Sequence, residues 1–171
     1  VQNVLFETAA GGRTTIGAPV TGAAGDITLA GTINAPTQAM RVMLSAEGDV
    51  AVTANVSNVL DKAYLGLRAD NQGSGAGTVT FGGGTTVNLS GAGSAIDIYH
   101  NPTALGSPTD YTANITAGQL TTFQLGHSIN DVQAIGNFLT QSFALARDID
   151  ASATAGWNGG AGFLPIGTGS S

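Results

Sequence analysis

The sequence predicts an all-β fold in which short strands stack in a regular repeat, a β-solenoid. Three observations predict it: apolar residues at every second position, turn residues between the apolar runs, and an imperfect repeat of about 22 residues. The composition agrees, because 42% of the residues are hydrophobic, 26 are Gly and only 9% are charged. An ordinary soluble domain has roughly 25% charged residues. Such a chain suits many short strands joined by Gly and Asn turns.

The alternating runs are the first of these observations. Each carries a β-branched or aliphatic residue at every second position, which is typical of a half-buried strand. Gly, Asn or Asp interrupts the chain at nearly every gap between them. The runs are DITLAGTI (26–33), RVMLSA (41–46), DVAVTANV (49–56), YLGLRA (64–69), TVTFGG (78–83), TVNLSG (86–91) and AIDIYH (95–100).

The spacing of the runs supplies the repeat. Ile27 precedes Val50 by 23 residues, Val42 precedes Leu65 by 23, and Leu65 precedes Val87 by 22. Repeats of this length are typical of solenoids, in which equivalent apolar residues stack inside a narrow tube. We therefore expect Val42, Leu65 and Val87 to be buried and stacked. An antiparallel sandwich would also alternate, but it gives no reason for a repeated two-strand unit.

The pattern changes after residue 100. Residues 101–116 contain two prolines and are predicted to form a loop leading to a strand. Residues 128–140 have apolar residues at helical spacing, and Ser128 or Asn130 would cap this short helix. The run FALARDID (143–150) is predicted to be a further strand. A helix on the flank suits a repetitive fold, so we expect one unit over residues 1–171.

Composition also excludes several classes of function. The net charge is -6 and the five cationic residues are scattered, which excludes a basic surface for nucleic acid. The chain has no Cys, so disulfides and thiolate metal sites are excluded. No apolar run approaches the roughly 18 residues of a membrane span. The chain begins at Val1, which suggests a processed product or a piece of a longer protein.

Asp148 and Asp150 are the candidate metal ligands. Two residues apart on a strand, they would point the same way and could contribute to a Ca²⁺ site. Calcium takes six to eight oxygen ligands, and the repeats of calcium-binding β-rolls are absent. Asp side chains also cap the backbone amides of turns, and we favour this structural role. No cofactor is expected.

Trp157, the only Trp, lies among glycines. An exposed indole face could stack on a sugar ring, whereas a packed indole would cover the edge of the core. We favour packing. A polysaccharide-active enzyme is the catalytic alternative, but its two carboxylates should flank one cleft. The acids here are dispersed, and the only acid–His neighbourhood places Asp97 and Asp110 near His100. His127 precedes Asp131 by four residues at a helix start, so we expect no catalysis.

Residues 69–167 resemble a module of the filamentous haemagglutinin-like proteins, large bacterial exoproteins exported by two-partner secretion. The most specific elements are DNQGSGAGTVTF (70–81) and ALARDIDASATAGWNGGAGFLPIG (144–167). The resemblance implies a right-handed parallel β-helix, a secreted or cell-surface location, and a role in adhesion, biofilm matrix or a shaft carrying a distal domain. Together with the sequence pattern, the resemblance predicts an all-β fold, a right-handed parallel β-helix (β-solenoid) with one short helix near residues 128–140.

The expected function is that of a structural or adhesive segment of such an exoprotein. Its partners would be itself, neighbouring repeats of the same exoprotein, or host surfaces and glycans. The alternatives are a subunit of an extracellular filament formed by end-to-end stacking, and the β-helix enzyme. Stacking would use the unpaired strand edges and apolar cross-sections at the two ends, 1–16 and 143–171. Val4 and Phe163 are the residues at which an introduced charge should weaken it.

Overall fold

The computed structural model describes the backbone of residues 2–7 and 14–16, and the backbone and side chains of residues 25–167. Short strands dominate this part of the chain. In order they are β1 (Gln2–Glu7), β2 (Thr14–Ile16), β3 (Ile27–Leu29), β4 (Ile33–Asn34), β5 (Met40–Ser45), β6 (Val50–Val52), β7 (Val56–Asn58), β8 (Tyr64–Arg68), β9 (Val79–Phe81), β10 (Val87–Leu89), β11 (Ala95–His100), β12 (Ile115–Ala117), β13 (Gln119–Gly126) and β14 (Ser142–Leu145).

The strands form three separate sheets. The large sheet has the order β1-β5-β8-β11-β13-β14, the second sheet β12-β10-β7-β4 and the third sheet β2-β3-β6-β9. Within the described residues every pairing is parallel. The antiparallel sandwich is therefore not the arrangement. From β3 to β11 the chain visits the three sheets in turn, so each of these strands has a long connection to its sheet neighbour, as parallel pairing requires.

The core lies on the inward side of these sheets. Two rows of aligned residues cross the large sheet, and they are aliphatic in β5, β8 and β11. One row is Val42, Leu65, Ile96 and Leu120, and the other is Leu44, Leu67, Ile98 and Thr122. Leu44, Leu65, Leu67, Ile96 and Ile98 have no exposed surface at all. Alternation along each strand puts every second residue in this core.

The predicted fold class, an all-β right-handed parallel β-helix, is wrong. The structure has a mixed layout of three separate parallel sheets together with a short α-helix, and no solenoid is detected. Within the described residues, stretches of 3₁₀ helix accompany the α-helix over Thr112–Asn114, Ile135–Asn137 and Ser152–Gly160, and the last is broken by a kink at Trp157, Asn158 and Gly159. Alternation and approximate spacing indicate parallel stacking of strands, but they do not reveal where a regular repeat stops.

The predicted repeat itself holds for two steps and fails at the third. Ile27 pairs with Val50 and Val42 pairs with Leu65, as the spacing of 23 residues predicted. Leu65, however, pairs with Ile96. Val87 is buried but lies in the second sheet, where it pairs with Val56 and Ile115. The loop before β9 lengthens this passage of the chain, so a constant spacing pointed to a residue in the wrong sheet.

The predicted helix is present but shorter than residues 128–140. Helix α1 spans Ile129–Ala134 and continues as the 3₁₀ segment Ile135–Asn137. Of the two predicted caps, Ser128 is the one used. Its hydroxyl accepts a hydrogen bond from the Asp131 backbone N–H, and the Asp131 carboxylate accepts one from the Ser128 backbone N–H. This reciprocal pair is a capping box, which satisfies two amides at the helix start.

None of the helices in the described part of the chain combines the length and the apolar character that crossing a membrane requires.

Candidate functional site

The two predicted aspartates lie beyond β14 rather than on a strand. β14 ends at Leu145, so Asp148 and Asp150 do not share one side of a strand, and that expectation is wrong. Both are exposed. Asp150 Oδ1 accepts a hydrogen bond from the Ser152 backbone N–H at 2.8 Å, and these contacts with Ser152 lower the Asp150 pKa. Asp150 thus caps a turn. Within residues 25–167, no group of three or more His, Cys, Asp or Glu is placed to hold a metal ion.

Trp157 and Phe163 contact each other. Their rings stack with centroids 6.3 Å apart and planes inclined by 19°, and both residues are half-buried. One face of the indole is therefore covered by Phe163 instead of being open to a sugar. Neither residue belongs to the buried core. The predicted assembly position at the other end, Val4, aligns with Val42 in the pairing of β1 with β5, and its side chain lies outside the described residues.

His100 is fully buried. It ends β11 on the inward side, whereas Asp97 lies on the opposite side because side chains alternate along a strand. Its ring packs edge-on against Tyr111, with centroids 5.6 Å apart. Burial lowers the His100 pKa, and neither ring nitrogen has a hydrogen-bond partner in the described part of the chain. His100 and Asp97 therefore do not form an acid–base pair.

His127 belongs to a cluster that the sequence did not reveal. Its Nε2 lies 2.7 Å from Asn101 Oδ1 and 3.8 Å from the carboxylate of Asp70. Asp70 is fully buried with φ of 53°, and its oxygens accept hydrogen bonds from Ser74, Gly75 and Asn101. Because Asp70 is already bound to the loop that follows it, the cluster fastens that loop to the ends of β11 and β13. The contacts join residues 26 and 31 positions apart, so no local motif marks them.

The outward side of the large sheet carries stacked side chains. Tyr99 and Phe123 are aligned neighbours whose rings stack at 4.7 Å with an 8° interplanar angle, and the Arg68 guanidinium lies 5.9 Å from the Tyr99 ring centroid. Arg41 covers the Tyr64 ring in the same way at 5.0 Å. Burial and the nearby Asp97 carboxylate raise the pKa of Tyr64 and Tyr99. Because neighbouring side chains already cover one or both faces of these rings, they stabilise the sheet rather than offer a flat binding surface.

The inward side of the large sheet becomes polar at β13. Thr122 continues the row of Leu44, Leu67 and Ile98, and Gln124 aligns with His100. Gln124 has no exposed surface; its amide oxygen accepts a hydrogen bond from the Gly106 N–H, and its NH₂ donates to Gln141. Gln141 in turn donates to the Gly106 carbonyl. This closed network satisfies the buried amides, as a buried polar group requires.

A groove of about 400 Å³ opens beside this polar end, between the loop 108–112, β13 and residues 140–142. We call it the polar groove. Five Thr and one Ser contribute hydroxyl-bearing side chains to its lining, and two Gln contribute amides. Asp110 is the single charged residue in that lining. Its Oδ1 accepts hydrogen bonds from Thr112, which lower the Asp110 pKa and keep the carboxylate ionised at neutral pH.

The polar groove contains an unpaired strand edge. β14 pairs with β13 only from Phe123 onward. Within the described residues, the first half of β13, Gln119–Thr122, is therefore paired with β11 on one side and with no strand on the other. The Gln119 backbone N–H donates to the Ser94 carbonyl, which shows that the backbone groups of Gln119 point toward β11. Backbone groups alternate between the two sides of a parallel strand, so those of Leu120 and Thr122 face the groove.

This arrangement provides hydrogen-bonding groups but not the parts of a hydrolase. Glycoside hydrolysis needs two carboxylates about 5 to 10 Å apart, and Asp110 is the one carboxylate among the residues that line the groove. No model of a protein family matches the chain, and no match to it was found among curated proteins or solved structures. The resemblance of residues 69–167 to filamentous haemagglutinin-like proteins therefore stays a prediction.

Proposed function

We propose that the chain is a structural and adhesive segment of a secreted or cell-surface bacterial exoprotein of the filamentous haemagglutinin-like kind, and that it does not catalyse a reaction. The observation that carries this proposal is the alignment of like residues across the parallel strands β5, β8 and β11. Aliphatic rows fill the inward side of β5, β8 and β11, and stacked rings and guanidinium groups line the outward side. Side-chain contacts within these rows join each of these strands to the next.

Asp and Asn side chains also cap backbone amides between successive passes of the chain through the sheets, and these bonds should make the protein stiffer. The Asp26 carboxylate accepts a hydrogen bond from the Asp49 N–H at 2.8 Å, and the Asp49 carboxylate accepts one from the Thr78 N–H at 2.7 Å. The Asn55 and Asp61 side chains accept equivalent bonds from residues 31 positions further on. Each turn is thus bonded to the turn of the next pass, so separating two passes breaks backbone, side-chain and capping contacts together.

Two alternatives receive less support. Stacking of the carboxyl-terminal end into a filament would require an apolar cross-section there, but the inward positions of β13 include Thr122 and the buried amide of Gln124. A polysaccharide-active enzyme would require an acid and a base that converge, and the polar groove supplies one carboxylate. The structural segment needs neither feature.

Location and mechanics test the proposal separately. Antibodies raised against the purified chain should label intact cells of the bacterium that produces it, with no gain in signal after lysis. In single-molecule stretching, the chain should unfold at a higher force than helical reference domains in the same polypeptide, because parallel strands must be sheared from their neighbours. Labelling that appears only after lysis would contradict the cell-surface location, and unfolding at the force of the helical domains would contradict the structural role.

A further inference from the structure

We propose that the polar groove is a docking site for an extended polypeptide segment, which adds a strand to the free edge of β13. This deepens the adhesive part of the proposed function and rests on it for biological context only. The partner is recognised first by its backbone, because the groove exposes strand edge, and second by a basic side chain that meets Asp110. The binding step is the addition of a strand to a sheet, a recurring mode of peptide recognition.

The free edge presents groups in the pattern that a peptide backbone matches. The N–H and C=O of Leu120 and of Thr122 face the groove, while the neighbouring residues Gln119 and Thr121 face β11. Groups two residues apart on a strand are about 6.6 Å apart, which is the repeat of any extended polypeptide. The site is the part of the edge that β14 leaves open, since β14 pairs only from Phe123 onward. An added segment would continue the sheet alongside the first half of β13.

The side walls define which side chains the segment would carry. Pro108, Tyr111 and Leu120 supply the apolar part of the lining. Thr140 adds a hydroxyl, whereas the Gln141 amide is already bonded to Gln124 and Gly106. The volume of about 400 Å³ lies in the range of ordinary ligand sites. Short polar or β-branched residues fit such a lining.

Charge selects the partner further. Asp110 is fully exposed, and no hydrogen bond from the described residues reaches its Oδ2, so that oxygen is available to a ligand. The net charge of the chain is -6, which favours approach of a cationic segment over an anionic one. The expected partner is therefore an extended segment with a Lys or Arg among Thr, Ser or Val.

Peptide titrations on the purified chain test this directly. The probe is a synthetic heptapeptide of alternating Thr and Val with a central Lys, and the comparison peptide has the same sequence with N-methylated backbone amides. The N-methylated peptide keeps its side chains but loses the donors needed for strand pairing. We expect binding of the first peptide, measured by NMR titration, to weaken at least about tenfold with the second, as loss of two or more net hydrogen bonds predicts.

Protein variants separate the contribution of the Asp110 charge to peptide binding from the contribution of the strand edge. Asp110→Asn keeps the cap on Thr112 but removes the charge, and it should weaken binding of the Lys peptide by about twofold to fivefold, the range for an exposed ion pair. Asp150→Asn is the matched control, because Asp150 is an equally exposed aspartate that caps a turn outside the groove. It should leave the affinity unchanged. Replacing the central Lys of the peptide by the neutral Gln should abolish the difference between wild type and Asp110→Asn, and replacing it by Glu should reverse the sign of that difference.

Hydrogen exchange locates the edge without any substitution. In the unliganded chain, the amides of Leu120 and Thr122 should exchange much faster than that of Thr121, and saturating Lys peptide should slow both. Equal binding of the N-methylated peptide, unchanged exchange at Leu120 and Thr122, or binding of neutral oligosaccharides in place of the peptide at this groove would each overturn the proposal. These outcomes concern the groove alone, so they are distinguishable from a failure of cell-surface labelling or of the stretching experiment.

Discussion

The middle of the large sheet and its carboxyl-terminal end are built from the same strand alignment but filled differently. In β5, β8 and β11 the inward rows contain Val, Leu and Ile, and Leu67 and Ile98 have no exposed surface. In β13 the first row keeps Leu120, but the second row contains Thr122, and the next inward residue is Gln124, which aligns with His100. β14 covers only half of this strand. Strand alignment is thus a property of the backbone, whereas the stability that each strand gains depends on the side chains that fill its inward rows.

The largest difference between the two regions should appear on truncation of one inward row. Leu67→Ala removes a fully buried side chain from the middle and should cost about 3 kcal/mol of unfolding free energy, within the range for core leucines. Thr122→Ala, at the aligned position of the end, should cost less than about 1 kcal/mol because the residue is half-exposed. Urea unfolding of both variants measures this. Equal losses would show that the end is packed as tightly as the middle.

A smaller effect is expected from making the end resemble the middle. Gln124→Leu places an aliphatic residue on the inward side of β13 but leaves the Gly106 N–H and the Gln141 amide oxygen without their partner. Leaving buried polar groups unsatisfied should cost about 1 to 3 kcal/mol in spite of the added apolar surface. Gln119→Leu, on the same strand but exposed, is the control and should change stability little. A stabilised Gln124→Leu variant would mean that the amide network contributes nothing.

The smallest effect should be the pH dependence that arises where the two regions meet, at His100. Burial lowers its pKa, so the folded state binds a proton less readily than the unfolded state. His100 therefore destabilises the fold as the pH falls below the ordinary value of about 6.5, with a slope of at most about 1.4 kcal/mol per pH unit. Above that pH the effect vanishes.

Unfolding free energy measured between neutral and mildly acidic pH checks this expectation. Wild type should lose stability on acidification, and His100→Gln should lose less over the same range because it carries no titrating group. Identical slopes for the two chains would show that the His100 ring is already solvated or paired in the folded state.

The sequence alone indicated the strands better than their partners. The runs 41–46, 64–69 and 95–100 coincide within a residue or two with β5, β8 and β11, because alternation reports burial of one side of a strand. The runs 26–33 and 49–56 each contain one strand and end on the first residue of a second strand, which belongs to a different sheet. A turn between two short strands interrupts neither the alternation nor the apolar content, so the sequence could not separate them.

The candidate site was harder to predict. The sequence offered Asp148 and Asp150 as metal ligands and Trp157 as a sugar-stacking residue, with capping and packing as the favoured roles. In the structure Asp150 caps a turn and Trp157 packs on Phe163. The polar groove instead depends on where β14 begins to pair with β13, a matter of register between distant segments. Nothing local distinguishes Thr122 from any other threonine in an alternating strand.

The sequence alone was enough to predict short strands with one inward side and a capped helix that begins at Ser128 or Asn130, because these properties depend on neighbours along the chain. Only the tertiary structure decided that the strands divide among three parallel sheets, that Leu65 meets Ile96, and that Asp70 lies beside His127. Loop length sets these pairings. A few added residues move a strand to another partner without altering any local pattern, so the free edge of β13 could be found only in three dimensions.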